Sequence, residues 1–447
     1  MQRLIHGFKN SWQQSNLHTV YNFSDPYAKG RCRILLSTIL DSVASQLVTG
    51  IFYTSFLLHY GMDKSKIGFL TFIPYITCML NLFSPLILER FQRRKQILIT
   101  AKLIHCFISY VGIALLPSLI QDGSSRMMGL AILILVSTAI SQLFSSGWTA
   151  WHANYLQEHV RIDYFRSSAC IISGVSYAIA LTISYLGDRF ASTPNEIILL
   201  TSIRYIAFGL TIADTFIWLA QKEFPYEKTV RIKFSNIFTL PAKNKPFLLT
   251  MILLALYNFG VSLPNATLNA YLLEDVGVSY TLINAINASY FLFFFFFTKM
   301  WNQVIYKFDI YRAFGIGIIL FGFSHLAYSF VAADTVWLYI VVRLVQHVLG
   351  VLLSGLVSTI LYDHLPLTDR TNYLSFYTIA QNASIFLALM LDTALATLMR
   401  NQAANLFGAT VISTQISLFV SGLVMLVLGV LSFLWANKLM RFKPHDN

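Results

Sequence analysis

The chain has 447 residues, of which 56% are hydrophobic and only 12% charged, and its mean hydropathy is +0.61. A water-soluble globular fold is excluded, because no soluble domain could carry so large an apolar excess on its surface. The 32 Lys and Arg against 20 Asp and Glu give a net charge of +12, which in a soluble chain would suggest nucleic acid; here the placement of the bases gives it another meaning.

Apolar runs of spanning length lie near residues 34–58, 67–88, 97–120, 128–150, 167–187 and 197–220. Six more lie near 247–272, 282–300, 313–332, 336–360, 374–398 and 411–436. A membrane helix needs about 20 apolar residues, so twelve spans, short loops and one longer connection use up the chain. The expected organisation is an N-terminal tail (1–33), a six-helix bundle (34–221), a basic linker (222–246), a second six-helix bundle (247–437) and a C-terminal tail (438–447). The first thirty residues hold no short apolar core with a small-residue cleavage site, so the first helix is expected to be the insertion signal. Cys32, Cys78, Cys106 and Cys170 show no CxxC spacing. Neither a disulfide framework, nor a metal site, nor a cofactor is expected from them.

Placing both tails in the cytoplasm puts 24 of the 32 Lys and Arg residues on that side. Lys64, Lys66, Arg126, Arg189 and Arg400 fall outside, and Lys102, Arg204 and Arg343 fall within helices. Lys and Arg resist translocation, so the basic charge is a topology signal and requires no nucleic-acid partner. The two halves also share landmarks. The segment Leu57, Leu58, His59, Tyr60, Gly61 leading to Ile67 resembles Leu272 to Gly277 leading to Ile283, with both glycines and both isoleucines offset by 216. Arg161 to Phe165 resembles Arg370 to Leu374 at an offset of 209. A repeat in the same direction favours halves related by an axis along the membrane normal.

After the second helix come Glu89, Arg90, Phe91, Gln92, Arg93, Arg94 and Lys95. Alone, this reads as a stop-transfer cluster. With twelve helices in two halves, it resembles the loop signature of the major facilitator superfamily: a Gly, three residues, an acid, a base, then Gly and two bases. Glu89 and Arg90 match the acid and base, and Arg93 and Arg94 the trailing bases, while Pro85 and Gln92 stand where the family has glycines. Lys307, Phe308, Asp309 and Arg312 form a worn second copy. The resemblance implies an all-α polytopic fold of two pseudo-symmetric six-helix bundles. It also implies secondary active transport of a small solute by alternating access, coupled to a proton or other ion gradient. Glu89, Arg90, Arg93 and Arg94 would then form a cytoplasmic gate, an acid held by bases in one state and released in the other.

In the tenth helix Arg343, Gln346, His347 and Gly350 share one face. A charge deep in a bilayer costs several kcal/mol unless it meets protein or water, so this face is expected to look inward. The array resembles the superfamily's Arg, two residues, Gln, then Gly motif, moved here from helix four to helix ten. In that family helices one, four, seven and ten line the cavity, which implies that Arg343, Gln346 and His347 face the pore. An interhelical hydrogen-bond cluster is the alternative. Asp41 and Gln46 in helix one, Ser141, Gln142, Ser145 and Ser146 in helix four, and Tyr257, Asn258, Asn265 and Asn269 in helix seven are spaced like inward faces. Asp41 reads two ways: as the coupling carboxylate, or as the structural partner of a base such as Lys102. Pro74, Pro85 and Pro264 allow kinks.

The resemblance places helices three, six, nine and twelve outside the cavity, so His105, Arg204, Asp214 and His325 are expected to be mainly packing or snorkelling groups; Asp392 stays open. Trp148 and Trp151 read as interface anchors, and Phe291 to Phe297 as lipid-facing bulk. His364 and Asp369 have the His, four residues, Asp spacing of some membrane acyltransferases, but no supporting block follows, and no Walker sequence is present. The expectation is therefore a monomeric multi-pass transporter and not an enzyme, in the plasma membrane, preferentially a bacterial inner membrane, with both termini cytoplasmic. Its partners would be the lipid bilayer, a small-molecule solute and a co- or counter-transported ion. A lipid or oligosaccharide flippase and a non-transporting receptor or scaffold are the alternatives.

Overall fold

The computed structural model of the chain describes residues 20–88, 91, 93–224, 234–366, 370–399, 404–406 and 409–441. Among these, eleven helices are long and apolar enough to cross a membrane. One more helix, Tyr280–Phe308, has 29 residues, and at about 1.5 Å per residue it exceeds a hydrocarbon core of about 30 Å. The twelve segments coincide with the apolar runs. By packing, the chain divides into two compact units, Met1–Phe56 with Leu80–Thr229 and Leu57–Met79 with Val230–Asn447.

In the first unit, α1 (Ala28–Val48) is followed by α2 (Gly50–His59), the break falling at Gly50, whose φ of 58° suits a residue without a Cβ. The second span is itself divided. Its first part, α3 (Lys64–Thr77), ends just past Pro74; a 3-10 turn covers Cys78–Phe83, and α4 (Ser84–Leu88) completes it. Proline removes an amide donor and crowds the preceding turn, which accounts for a break near Pro74. Packing follows the division: α3 belongs with the second unit and α4 with the first. The first unit continues with α5 (Lys95–Cys106), α6 (Ile113–Leu119), α7 (Gly123–Ala153), α8 (Glu158–Phe190) and α9 (Asn195–Leu219). Asp122 caps α7 by accepting from the Ser125 amide at 2.7 Å. Ile34, Leu88, Leu98, Trp151, Tyr155 and Trp218 form part of the buried core at one end of this unit.

The second unit adds α10 (Phe234–Lys243), α11 (Lys245–Ser262), a 3-10 turn containing Pro264 (Leu263–Ala266) and α12 (Leu268–Ala270). Then come α13 (Tyr280–Phe308), α14 (Ile310–Tyr328), α15 (Val336–Asp363), α16 (Arg370–Leu398) and α17 (Ser413–Met440). Between α16 and α17, β1 (Ala404–Leu406) and β2 (Ala409–Val411) pair antiparallel, a feature the hydropathy pattern does not show. The α14 and α17 backbones approach closely. A Cβ added to Gly315 would stand 2.9 Å from the Gly429 carbonyl oxygen, and one added to Gly422 would stand 2.9 Å from that of Gly322. Without a hydrophobic drive between helices in lipid, such close backbone approach is what joins them.

Both sequence landmarks have structural counterparts. Gly61 and Gly277 each close a helical segment with positive φ. Tyr164 and Tyr373, at the offset of 209, are both buried. Tyr164 packs on Tyr21, which precedes α1, with ring centroids 6.5 Å apart. Tyr373 donates to the Leu240 carbonyl at 3.3 Å, in α10, which precedes α11.

Candidate functional site

Three helices of the first unit, α1, α5 and α7, turn a polar face to one cavity of about 550 Å³. Ser37, Asp41 and Ser45 are spaced at four residues on α1, Lys102 and His105 at three on α5, and Ser141, Ser145 and Trp148 at four and three on α7. The 3.6-residue period puts each set on a single face. From α9, Trp218 lines the wall, and one turn before it Asp214 approaches Lys102.

Lys102 organises the charge. Its Nζ donates to Asp41 Oδ2 and to Asp214 Oδ2, both at 2.6 Å, and lies 5.4 Å from the centroid of the Trp148 ring. The two carboxylates differ in surroundings: the Asp41 side chain is 45% exposed, that of Asp214 0%. The aromatic wall is itself braced. Trp218 donates to Ser37 Oγ at 2.7 Å, stacks on His152 with ring centroids 5.1 Å apart and planes at 2°, and meets Trp148 edge-on at 4.9 Å. Trp151 packs on Trp218 at 4.6 Å and donates to the Lys222 carbonyl at 3.0 Å. His105 Nδ1 contacts the Ser137 carbonyl at 2.8 Å, which requires that nitrogen to carry the proton.

Residues 250–445 match the family model described as the Major Facilitator Superfamily. No curated protein matches the chain by sequence. Among solved structures, the chain is similar to a mutant of the nucleoside transporter NupG, with a TM-score of 0.71 at 12% identity over 90% of this chain and 99% of that one. It is similar to the POT family transporter PepTSo, with a TM-score of 0.69 at 13% identity over 92% and 98%. A bacterial homologue of the iron transporter ferroportin, in its inward-facing state, gives 0.68 at 15% identity over 91% and 98%. The second half of the chain thus matches the superfamily model, and the chain as a whole shares the fold of these transporters.

Of the residues singled out in the sequence, Asp41 is bound to Lys102 and half open to the cavity. Asp214 and His105, read as packing groups, belong to the same cluster: Asp214 shares Lys102, and His105 lines the wall. Gln46 and Gln142 are half-buried and lie outside the cavity lining. In the second unit, Tyr257 packs on Phe314 with centroids 5.5 Å apart. Asn258 donates to the Leu254 carbonyl at 2.7 Å, Asn265 is exposed with its amide 3.4 Å from the Val261 carbonyl, and Asn269 is half-buried.

The polar face of α15 is turned to α13. Arg343 donates to Gln346 Oε1 at 2.9 Å and to Asn287 Oδ1 at 3.1 Å, and His347 Nε2 donates to the Ile286 carbonyl at 2.9 Å. Asp392, left open by the sequence, is fully buried. It accepts from the Thr267 amide at 3.0 Å and from Ser417 Oγ at 2.5 Å, tying α16 to α17 and to the break after α11. His364 bridges Thr250 Oγ1, at 3.0 Å, and the Leu439 carbonyl, at 3.1 Å; Asp369 lies outside the described residues.

Of the four gate residues, Glu89 and Arg90 lie outside the described residues. Arg93 is exposed and Arg94 buried. An acid that the sequence reading passed over holds this corner: Glu223 Oε1 accepts from the backbone amides of Arg94 and of Lys95, the latter at 2.8 Å. The start of α5 has no side-chain cap of its own. A helix N-terminus exposes unpaired amides and a partial positive charge, and Glu223 supplies the missing acceptor from beyond α9.

At the start of α3, Lys64 is 4% exposed and paired with Asp275. Ser65 Oγ and Thr397 Oγ1 are 2.5 Å apart, and Phe72 meets Phe386 edge-on at 5.4 Å. A Cβ at Gly68 would collide with the Thr393 hydroxyl. This latch fixes α3 to α16 and to the end of the α11–α12 segment.

Proposed function

We propose that this transporter moves a small polar or amphipathic solute by alternating access, driven by a proton or other ion gradient, and that the cavity around Asp41 is its solute site. It is a transporter and not an enzyme, a monomer in the plasma membrane of a bacterium with both termini in the cytoplasm. The observation that carries the reading is the half-open Asp41 carboxylate on Lys102 within a cavity of about 550 Å³, a size that suits a small molecule. A charge pair held inside a membrane protein is costly to keep and marks a functional path by default. Asp41 is the coupling carboxylate on this reading, its exposed oxygen exchanging a proton or ion while Lys102 holds the other.

The bond pattern of Arg343, Gln346 and His347 favours a role in holding α15 to α13 over solute contact. Gln46, Gln142, Tyr257, Asn258, Asn265 and Asn269 remain candidates for solute contact along the path. The Lys64–Asp275 latch serves as the outer gate. Glu89, Arg90, Arg93 and Arg94 serve the inner one, with Glu223 holding its loop in place.

The test is uptake into proteoliposomes over sugars, amino acids, organic anions and amines, with and without a proton gradient. Gradient-dependent accumulation of one class, lost in Asp41→Asn at equal incorporation, is the expected result. Movement of labelled lipid instead of solute would establish the flippase reading, and no transport of any class would leave the scaffold.

A further inference from the structure

We infer that the cavity of the first unit receives an organic monocation: an ammonium carried on an aromatic or apolar body, its nitrogen resting on Asp41 Oδ1. The inference deepens the proposed function and rests on its assignment of this cavity as the solute site.

The charge inventory comes first. Two carboxylates, Asp41 and Asp214, share the single ammonium of Lys102, so the ionised cluster carries one excess negative charge. Lys102 has no direction left for a solute anion: two donors go to the carboxylates at 2.6 Å, and its remaining side lies over the Trp148 ring. An incoming carboxylate would have to evict one already in place. The excess charge is presented to the cavity at one group, because Asp214 is closed off while the Asp41 side chain is 45% exposed. Asp41 Oδ2 takes the Lys102 bond, and Oδ1 has no partner among the described residues. An ammonium there completes the pairing, and charge-assisted hydrogen bonds of this kind are the strong ones.

The walls describe the rest of the solute. Phe144, Ile140 and Ile172 form an apolar flank, with the edge-braced Trp148 beside it. Ser45 and Ser141 line the same space, and their hydroxyls bond to no other described residue, so they stand ready for a polar substituent. His105 directs its Nδ1 proton to the Ser137 carbonyl, so that donor is not offered to a solute anion. A bare proton on Asp41 would also neutralise the cluster, but it needs neither the volume nor the apolar flank.

Three probes of one shape and three charges separate these cases: 2-phenylethylamine, 2-phenylethanol and phenylacetate. Their affinity for the purified full-length protein in lipid nanodiscs is read by tryptophan fluorescence and by the shift in melting temperature. The amine is expected to bind at least about tenfold more tightly than the alcohol, and the acid more weakly than either. Asp41→Asn should erase the amine's advantage, and Asp41→Glu should keep most of it, so that a folding defect in one variant does not decide the matter. Equal binding of amine and alcohol would mean that Asp41 carries only a proton; tighter binding of the acid, or binding of none of the three, overturns the inference as well. Labelling of Ser45→Cys from each side of the membrane, in a protein freed of its native cysteines, judges the transporter reading separately. Access from both sides with no amine preference removes only the solute class, whereas access from one side alone removes alternating access.

Discussion

Gly61 and Gly277 hold the same left-handed backbone, with φ of 76° and 73°, at matching turns 216 residues apart. Each ends one helical segment, and two residues later a side chain caps the next: Asp63 accepts from the Lys66 amide at 2.9 Å, and Ser279 from the Leu282 amide at 3.2 Å. Four residues beyond each cap, Ile67 and Ile283 are buried. A side chain with a Cβ pays about 1–2 kcal/mol to enter this conformation. Gly61→Ala and Gly277→Ala should each lower the melting temperature in detergent, and Asn at either position should lower it less. Alanine variants as stable as the parent would show that the turns relax to another geometry.

The Lys64–Asp275 pair makes a second, separable claim. Lys64 is 4% exposed, so removing Asp275 strands a buried cation, which costs more than an exposed pair contributes. Lys64→Ala and Asp275→Ala should each increase modification, by a membrane-impermeant thiol reagent added from outside, of a cysteine placed at Ser45. The Lys64→Asp, Asp275→Lys exchange should restore the parent level, with a coupling of roughly 0.5–3 kcal/mol. An exchange no better than either single change would deny the pair a gating role.

Much of this fold was legible because lipid imposes a single demand, backbone bonds closed within each helix and about 20 apolar residues per crossing. The repeat was legible at Gly61 and Gly277 because left-handed turns tolerate few residues. The site was only partly so. Asp41 and Lys102 could be paired on paper, since a base and an acid both embedded in a membrane seek each other. Asp214 is hard to place from its own helix, because the base it pairs with lies 112 residues away on another helix. The signal that could have found it is that an embedded acid seeks a base, and the first six helices embed only two of each, Asp41 and Asp214 with Lys102 and Arg204. Glu223 escaped because its role is to accept from amides more than a hundred residues away, and nothing in a linear charge pattern marks such a contact. The latch at Gly68 and Thr393 was hidden for the same reason.

The glycine seam between α14 and α17 predicts a graded response to single methyl groups. Gly422→Ala and Gly429→Ala place a Cβ 2.9 Å from a facing carbonyl oxygen, so the helices must part, and overpacking of this kind costs about 1–3 kcal/mol. Gly355→Ala meets nothing within 4 Å and, in the interior of α15, should be neutral or stabilising by about 0.5–1 kcal/mol. Melting temperatures of the three variants check the order; equal losses at all three would mean that helix propensity and not backbone approach governs the seam.

The Lys102 cluster yields the sharpest stability prediction, because its three members are unequal. Lys102→Met removes the cation that two carboxylates share, one of them fully buried, and stranding a buried charge costs roughly 3–5 kcal/mol. Asp214→Asn keeps the Lys102–Asp41 pair and leaves the cluster neutral, so its loss should be smaller. In the Lys102→Met, Asp214→Asn double variant the buried charge is gone with its partner, and most of the Lys102→Met loss should return. The measurement is thermal unfolding of the four proteins in one detergent. A double variant no more stable than Lys102→Met would mean that Asp214 does not need Lys102, and that the cluster's geometry is held by the Trp148, Trp218 and His152 wall instead.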